Sequence, residues 1–512
     1  MLWGVAQILR YYPDNFFPRF ADEGIYAGDV RRPTQIFASY NENIVRYAPA
    51  KLGYGLLAAG SSALLGENGP MYLSTIMWGV VVVTTAAATL WWFGSVAAVI
   101  TMAFLLYSPV FGKYLAEAGP TTTAAFAFLL LWIASGWQRA WLTGICVGLA
   151  ALVDFKWAIP AGIAFASIVF VERRADGWRR VVRDVMTGIA TALAVIALAF
   201  WLHPPYWDFL REYIFPHSRL VRFQPSPVAI YHLWLFGALP AVAVAALAYT
   251  WPTARSSLPI CKSTAKDSLV RVAILLVVPA LFYSVFGVHK ALRFFAVVFP
   301  LLSVCVGVGL GALLLIAWQG VARLRHLLQV PASALIALVA ACLVHGGSDG
   351  PAYHMTLASG FDTAIREMNA RGLTGASISS YNWPVITYAW PAPTARAPFA
   401  MWGPLDTDRW LMLAPALDRP TVDLRVHLGG FEIDADSLWV HNTKIYHGKT
   451  DSLFSVPCTF YGSDYFLSEL VYDGIGVFRR WRRQAAENGI MLTVRQFRGE
   501  PFRYERLPLP ER

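Results

Sequence analysis

Long apolar runs separated by short polar connections fill the first two thirds of the chain. A helix needs about 20 apolar residues to cross the hydrocarbon of a bilayer. On that measure the pattern predicts spans at about 70–93, 95–111, 121–137, 140–153, 157–171, 185–203, 229–251, 269–287, 294–318 and 328–346. The runs 140–153 and 157–171 are short and read as tilted or partly re-entrant spans. Leu52–Leu65 is apolar but short and rich in Gly, Ala and Ser, and the stretch 27–47 before it is polar and aromatic. Both are expected to lie at the membrane surface rather than to cross it. Met1 to Leu9 is shorter still before Arg10, Asp14 and Arg19 intervene, and reads as a truncated first span.

The pattern changes near His345. Beyond it, Phe361–Arg371 carries a helical period that stops at Gly372, and Ala376–Ser380 and Ser437–Val440 read as strands among Pro- and Gly-rich connections. The expected architecture is mostly α: a polytopic membrane domain with about ten or eleven transmembrane helices over residues 1–348. A small α/β or α+β domain over 349–512 follows, with no visible repeat or catalytic motif.

Composition agrees with this division. Only 14% of the 512 residues are charged and 56% are hydrophobic, against about 25% charged in soluble domains. The net charge of +10 comes from residues 1–348, with 25 Lys/Arg against 14 Asp/Glu, while 349–512 hold 17 against 18. A basic excess confined to the membrane part points to lipid headgroups and topology, not to nucleic acid. The five cysteines, Cys146, Cys261, Cys305, Cys342 and Cys458, show no metal-ligand spacing.

The basic residues also orient the spans. One alternating set of connections (93–95, 138–139, 172–184, 252–268, 319–326) holds eleven Lys/Arg, with a dense cluster at Arg173–Arg183; the other (112–120, 154–156, 204–228, 288–293) holds seven. The first set is expected to be cytoplasmic. The second, with the loop 10–68 and the C-terminal domain, is expected outside.

Several polar groups then fall on the outer side. Asp22 and Glu23 lie in Ala21-Asp22-Glu23-Gly24-Ile25-Tyr26, and a carboxylate beside lipid is costly unless it has partners or a task. A sugar hydroxyl needs such a base to take its proton as a bond forms. Glu117 follows Lys113 between two spans, where it is either an interface acid paired to that lysine or a second working carboxylate. In the second case it orients an acceptor or, with Asp22, holds a divalent cation. Lys290 and Arg293, beside His289, are three residues apart at the start of a span, so that both can reach one phosphate. The loop from Trp207 to Phe223 is aromatic and basic, and His217, Arg219 and Arg222 in it suit an anionic lipid headgroup or a plain interfacial helix.

Taken in order over about residues 20–310, these motifs resemble the GT-C superfamily of polyprenyl-phosphate-dependent glycosyltransferases, and within it the bacterial aminoarabinose-transferase and protein O-mannosyltransferase-like group. The likeness is carried by Asp22-Glu23 with Tyr26, Tyr54 with Gly66, Ser108-Pro109 with Glu117, Gly148-Leu149-Ala150 with Lys156, the Trp207–Phe223 loop, and His289-Lys290 with Arg293 and Pro300. His289-Lys290 with Arg293-Phe294 is also similar to the dolichyl-phosphate-mannose-dependent mannosyltransferases, which have an acid where Ala291 stands here.

The resemblance implies a GT-C fold and inverting transfer at the external face of a bacterial inner membrane. The donor would be a polyprenyl-phosphate-linked sugar and the acceptor a hydroxyl on lipid, glycan or protein. It implies Asp22 as base with Glu23 assisting, and Glu117 as the second-loop acid where many relatives carry Asp. Lys290 and Arg293 would bind the donor phosphate, with His289, Tyr26 and Lys156 among the substrate-binding residues. The alternatives are a flippase or transporter of lipid-linked sugars and a non-catalytic envelope-assembly partner. A transporter tends to place ionisable groups at the membrane midplane, whereas here they gather at span ends.

Overall fold

The computed structural model describes residues 51–66, 69–107, 119–204, 207, 211, 263–286, 296–317 and 361–372, and ten short strands beyond residue 353. The spans expected at 229–251 and 328–346, and the stretch 1–47, lie outside the described residues. The described residues fall into two compact units: 51–57 with 73–317, and 58–72 with the elements beyond 350.

Every predicted apolar run that falls on described residues is helical. The helices are α1 (Leu52–Leu65), α2 (Gly69–Phe93), α3 (Ser95–Tyr107), α4 (Pro120–Gly136) and α5 (Ala140–Val153), then α6 (Ala158–Arg173), α7 (Trp178–Leu202), α8 (Ser263–Val285) and α9 (Phe299–Ala317). Among the described residues, three segments are long and apolar enough to cross a membrane: Tyr72–Phe93, Phe155–Asp176 and Trp178–Leu202. The chain is an integral membrane protein built of helices.

Helices suit this sequence because in hydrocarbon each backbone polar group must be bonded within its own segment. The few hydroxyls follow the same rule. Thr85 donates to the Val81 carbonyl at 2.6 Å, Thr89 to that of Thr85 at 2.7 Å and Ser303 to that of Phe299 at 2.9 Å. α7 shows how the faces divide. Val181, Gly188, Ala192 and Ala199 are buried on one side, while Val182, Met186, Ile189, Leu193 and Leu198 stand exposed on the other. A row of large exposed aliphatics on one helix is a surface for lipid.

α7 and α8 begin at Trp178 and Ser263, ahead of the apolar runs at 185 and 269. The extra turns are polar and continue the helix beyond the hydrocarbon. On α7, Arg180 reaches back to Asp176 at 3.0 Å and Arg183 pairs with Asp184 at 3.2 Å.

Small residues set the closest helix contacts. Gly144 on α5 lies against the backbone of Gly188 on α7, and a Cβ there would overlap the Gly188 carbonyl and sit 2.8 Å from its Cα. A Cβ on Gly188 would in turn overlap the Phe165 ring of α6. One turn along α5, a Cβ on Gly148 would come 2.8 Å from Val195 Cβ. α9 meets α3 in the same way, where a Cβ on Gly307 would overlap Thr101 and lie 2.6 Å from the Ala97 carbonyl. Without a hydrophobic drive between helices in lipid, such close backbone approach supplies the packing energy. Aromatic rings also pack between helices. Trp132 lies 4.6 Å from Trp92 and donates its Nε1–H to Ser268 Oγ at 3.0 Å.

The second unit contains α10 (Phe361–Ala370) and ten strands, of which β2 (Ile378–Ser380) and β5 (Leu438–His441) fall on the strand-like runs of the sequence. One four-stranded sheet runs β10 (Arg503–Arg506), β6 (Lys444–His447), β5, β4 (Phe431–Asp434), all antiparallel. A second runs β2, β3 (Trp410–Leu413), β9 (Met491–Phe497), β7 (Thr450–Pro457), with β2 and β3 parallel. β1 (His354–Leu357) pairs with β8 (Phe460–Ser463). α10 ends at Gly372, whose φ of 71° is the left-handed value that glycine adopts without strain. Arg371 follows the helix and reaches the Leu453 carbonyl at 3.4 Å over the Phe454 ring, docking the helix on β7.

Candidate functional site

Side-chain contacts fix which helix ends share a side of the first unit. At one end, Arg271 of α8 pairs with Glu172 of α6. Arg173 donates to the Gln138 carbonyl at 3.2 Å and pairs with Asp184 of α7 at 3.6 Å. A Cβ on Gly136 would lie 3.0 Å from Trp92 and 3.5 Å from Arg271. The ends of α2, α4 and α6 therefore meet the starts of α5, α7 and α8. Gln138, Glu172, Arg173 and Asp184 line a small pocket there with Ser135, Thr143, Phe165 and Ile168. The exposed Arg139, Arg174 and Arg179, with exposed Trp137, Trp141 and Trp178, surround this end.

The opposite end is defined as clearly. The Gly119 N–H donates to Ser74 Oγ at 3.4 Å, joining the starts of α4 and α2. A Cβ on Gly53 would lie 3.1 Å from Leu152 and Val153, placing the start of α1 on the end of α5. Trp157, at the start of α6, is 4.8 Å from Tyr283 near the end of α8. α3 and α9 run antiparallel, with Phe104 5.6 Å from Phe299. α1 and α2 thus both begin at this end.

Here the α5–α6 connection carries the polar group that the sequence reading left aside. Asp154 is 5% exposed and ends α5 in extended conformation. Its Oδ1 accepts the Lys156 backbone N–H at 3.4 Å, capping the 3-10 turn Phe155–Trp157, and its Oδ2 lies 3.0 Å from Lys156 Nζ. Lys156 lies 5.7 Å from the centre of the Trp157 ring, which Phe128 meets edge-on at 5.5 Å. Residues of α4 and α8 thereby hold the ring beside which the cation lies. Lys51 and Tyr54, buried at the start of α1, belong to the same end of the unit.

Helix length adds to this. At 1.5 Å per residue, the 14 residues of α5 rise only about 21 Å, against a hydrocarbon thickness of about 30 Å. The 25 residues of α2 rise about 37 Å. The Asp154–Lys156 turn stands at the end of this short helix. A buried ionisable group in so apolar a unit is kept for a partner or a task.

Of the residues singled out in the sequence, Lys156 is described. Asp22, Glu23, Tyr26, Glu117, His217, Arg219, Arg222, His289, Lys290 and Arg293 lie outside the described residues. The described neighbours of two of their segments, Gly119 beyond Glu117 and Phe286 before His289, belong to the Lys156 end. Among the described residues no group of three or more His, Cys, Asp or Glu could hold a metal ion. Sequence reasoning passed over Asp154 and Arg271, although each is an ionisable residue set in or against an apolar run.

No family model matches the chain, and no curated protein does. Among solved structures, it is similar to ArnT from Cupriavidus metallidurans in the apo state, at 16% identity and a TM-score of 0.43, over 78% of this chain and 76% of that one. It is similar to the same protein bound to undecaprenyl phosphate at 17% identity, with the same TM-score and coverage.

Proposed function

We propose that the chain is a membrane glycosyltransferase that moves a sugar from a polyprenyl-phosphate donor to an acceptor hydroxyl at the external face of the inner membrane, inverting the anomeric centre. In this reading Asp22 takes the acceptor proton while the hydroxyl oxygen attacks the anomeric carbon. The bond to the phosphate oxygen breaks, and its electron pair leaves with the lipid phosphate. Single displacement from the far side inverts the centre. Glu23 assists the base, and Glu117 orients the acceptor or, with Asp22, holds a divalent cation. Lys290, Arg293, His289 and Lys156 stabilise the departing phosphate, whose charge grows in the transition state. His217, Arg219, Arg222 and Tyr26 receive the remainder of the lipid-linked substrate. Residues 349–512 stand outside the membrane as a separate domain.

The observation that carries the reading is the ion pair of buried Asp154 with part-buried Lys156, at the same end as the helix ends that flank the Glu117 and His289–Arg293 segments. A part-buried cation at one end of an apolar helical unit suits a phosphate attached to a polyprenyl chain. The test is transfer by the purified chain from a polyprenyl-phosphate sugar, with Lys290→Ala and Arg293→Ala compared with the unaltered protein. Loss of transfer at undiminished folding is expected; full transfer by the double variant would overturn the phosphate assignment.

A further inference from the structure

We infer that Asp154 is a positioning residue for the donor, acting through Lys156; the inference rests on the transferase reading above. Both oxygens of one carboxylate engage the residue two positions on, one its backbone N–H at 3.4 Å and the other its ammonium at 3.0 Å. The carboxylate therefore meets the lysine at both ends, main chain and head. Its side chain is 17% exposed and that of Asp154 is 7% exposed, so the cation is the more accessible member of the pair.

The neighbours make the arrangement stiff. Trp157, 1% exposed, is held between Phe128 of α4 and Tyr283 of α8, and the Lys156 head lies 5.7 Å from its ring. A lysine has four rotatable side-chain bonds and loses up to about 2 kcal/mol of rotamer entropy when a ligand immobilises it. Where an acid has already ordered the chain, that cost falls on folding and not on binding. Asp154 thus presents a preorganised ammonium to an incoming phosphate, which engages its outward side.

The variants separate this role from a structural one. Asp154→Asn keeps an oxygen that accepts the Lys156 N–H, so the turn remains capped while the charged contact to Nζ is lost. Returning about 1.4 kcal/mol of the lysine's rotamer cost to the binding step corresponds to about tenfold in affinity. Binding of a polyprenyl monophosphate to the full chain in detergent, read by native mass spectrometry, should weaken by about that factor in Asp154→Asn and recover in Asp154→Glu. In transfer assays the loss should fall on the donor KM and not on kcat. Asp154→Asn combined with Lys156→Gln should bind no more weakly than Lys156→Gln alone, because the acid acts only through the lysine.

Melting temperatures complete the cycle. Lys156→Gln leaves a buried acid unpaired and should melt lower than the double variant. Unchanged phosphate binding in Asp154→Asn, or losses that multiply in the double variant, would overturn the positioning role while leaving the transferase reading intact. Failure of the unaltered chain to bind the polyprenyl monophosphate would overturn both.

Discussion

The packing of α5, α6 and α7 turns on Gly188, which has a backbone on one side and an aromatic ring on the other. A Cβ there would overlap Phe165, itself 2% exposed, and the Gly144 face of α5 closes the remaining side. Gly188→Ala must therefore push α7 outward or turn the Phe165 ring from its place. Overpacking of this kind costs about 1–3 kcal/mol, offset by up to ~1 kcal/mol because Ala is the better helix former. At about 2–4 °C per kcal/mol, the melting temperature should fall by roughly 5 °C. Gly162 on α6 is the control, since a Cβ there meets nothing within 4 Å and Gly162→Ala gains only helix propensity. In chains that keep Cys146 alone of the five cysteines, a fluorogenic maleimide reports the transition, because Cys146, on α5 two residues beyond Gly144, is buried until the helices part. If Gly188→Ala and Gly162→Ala melt together, the backbone contact of α5 with α7 is wrongly described.

Other perturbations follow from the same geometry. Arg271→Ala leaves Glu172 part-buried beside Asp267 without its cation and should cost about 3–5 kcal/mol, while Arg271→Met with Glu172→Leu should recover most of the loss in thermal melting. An ordinary melting temperature for Arg271→Ala would remove the pair from any stabilising role. With the five native cysteines replaced, Arg174→Cys, exposed at the arginine-rich end, should react with an impermeant maleimide only after the inner membrane is opened; labelling in cells with an intact inner membrane would invert the proposed orientation. Trp132→Phe removes the bond to Ser268 Oγ and should lower stability by about 1 kcal/mol, with no effect expected on phosphate binding some turns away.

Hydropathy made most of the helical unit legible, because a run that must satisfy its own backbone in lipid has one available conformation. The elements Gly69–Phe93, Ser95–Tyr107 and Pro120–Gly136 start or stop within a few residues of the apolar runs. What hydropathy could not supply is which helices touch. The pairing of Gly144 with Gly188, or Gly307 with Ala97, depends on matching surfaces far apart in the chain, and small residues occur on several other faces. The polar turns at Trp178–Asp184 escaped for a related reason, since helix continues past the hydrocarbon wherever charged pairs support it.

The site was legible by residue type more than by partnership. Lys156 stood out as a cation between two spans, but its acid two residues earlier was passed over. Their meeting depends on the extended conformation of Asp154 and the 3-10 turn after it, which an apolar–polar pattern does not encode. Arg271 likewise sits in an apolar run where an unpaired charge would be costly, a signal for a buried partner that pointed to Glu172 only once α6 and α8 were side by side.

The central claim is base-catalysed transfer from a lipid-linked sugar, and Asp22 is the group on which it depends. The most direct measurement compares cells lacking the chain with cells carrying it unaltered or as Asp22→Asn, with envelope glycolipids and glycans weighed by mass spectrometry. The account predicts one sugar-sized mass difference that disappears on deletion, returns with the unaltered chain and stays absent with an equally abundant, equally folded Asp22→Asn. Full restoration by Asp22→Asn, or no change in any glycolipid or glycan on deletion, would contradict it.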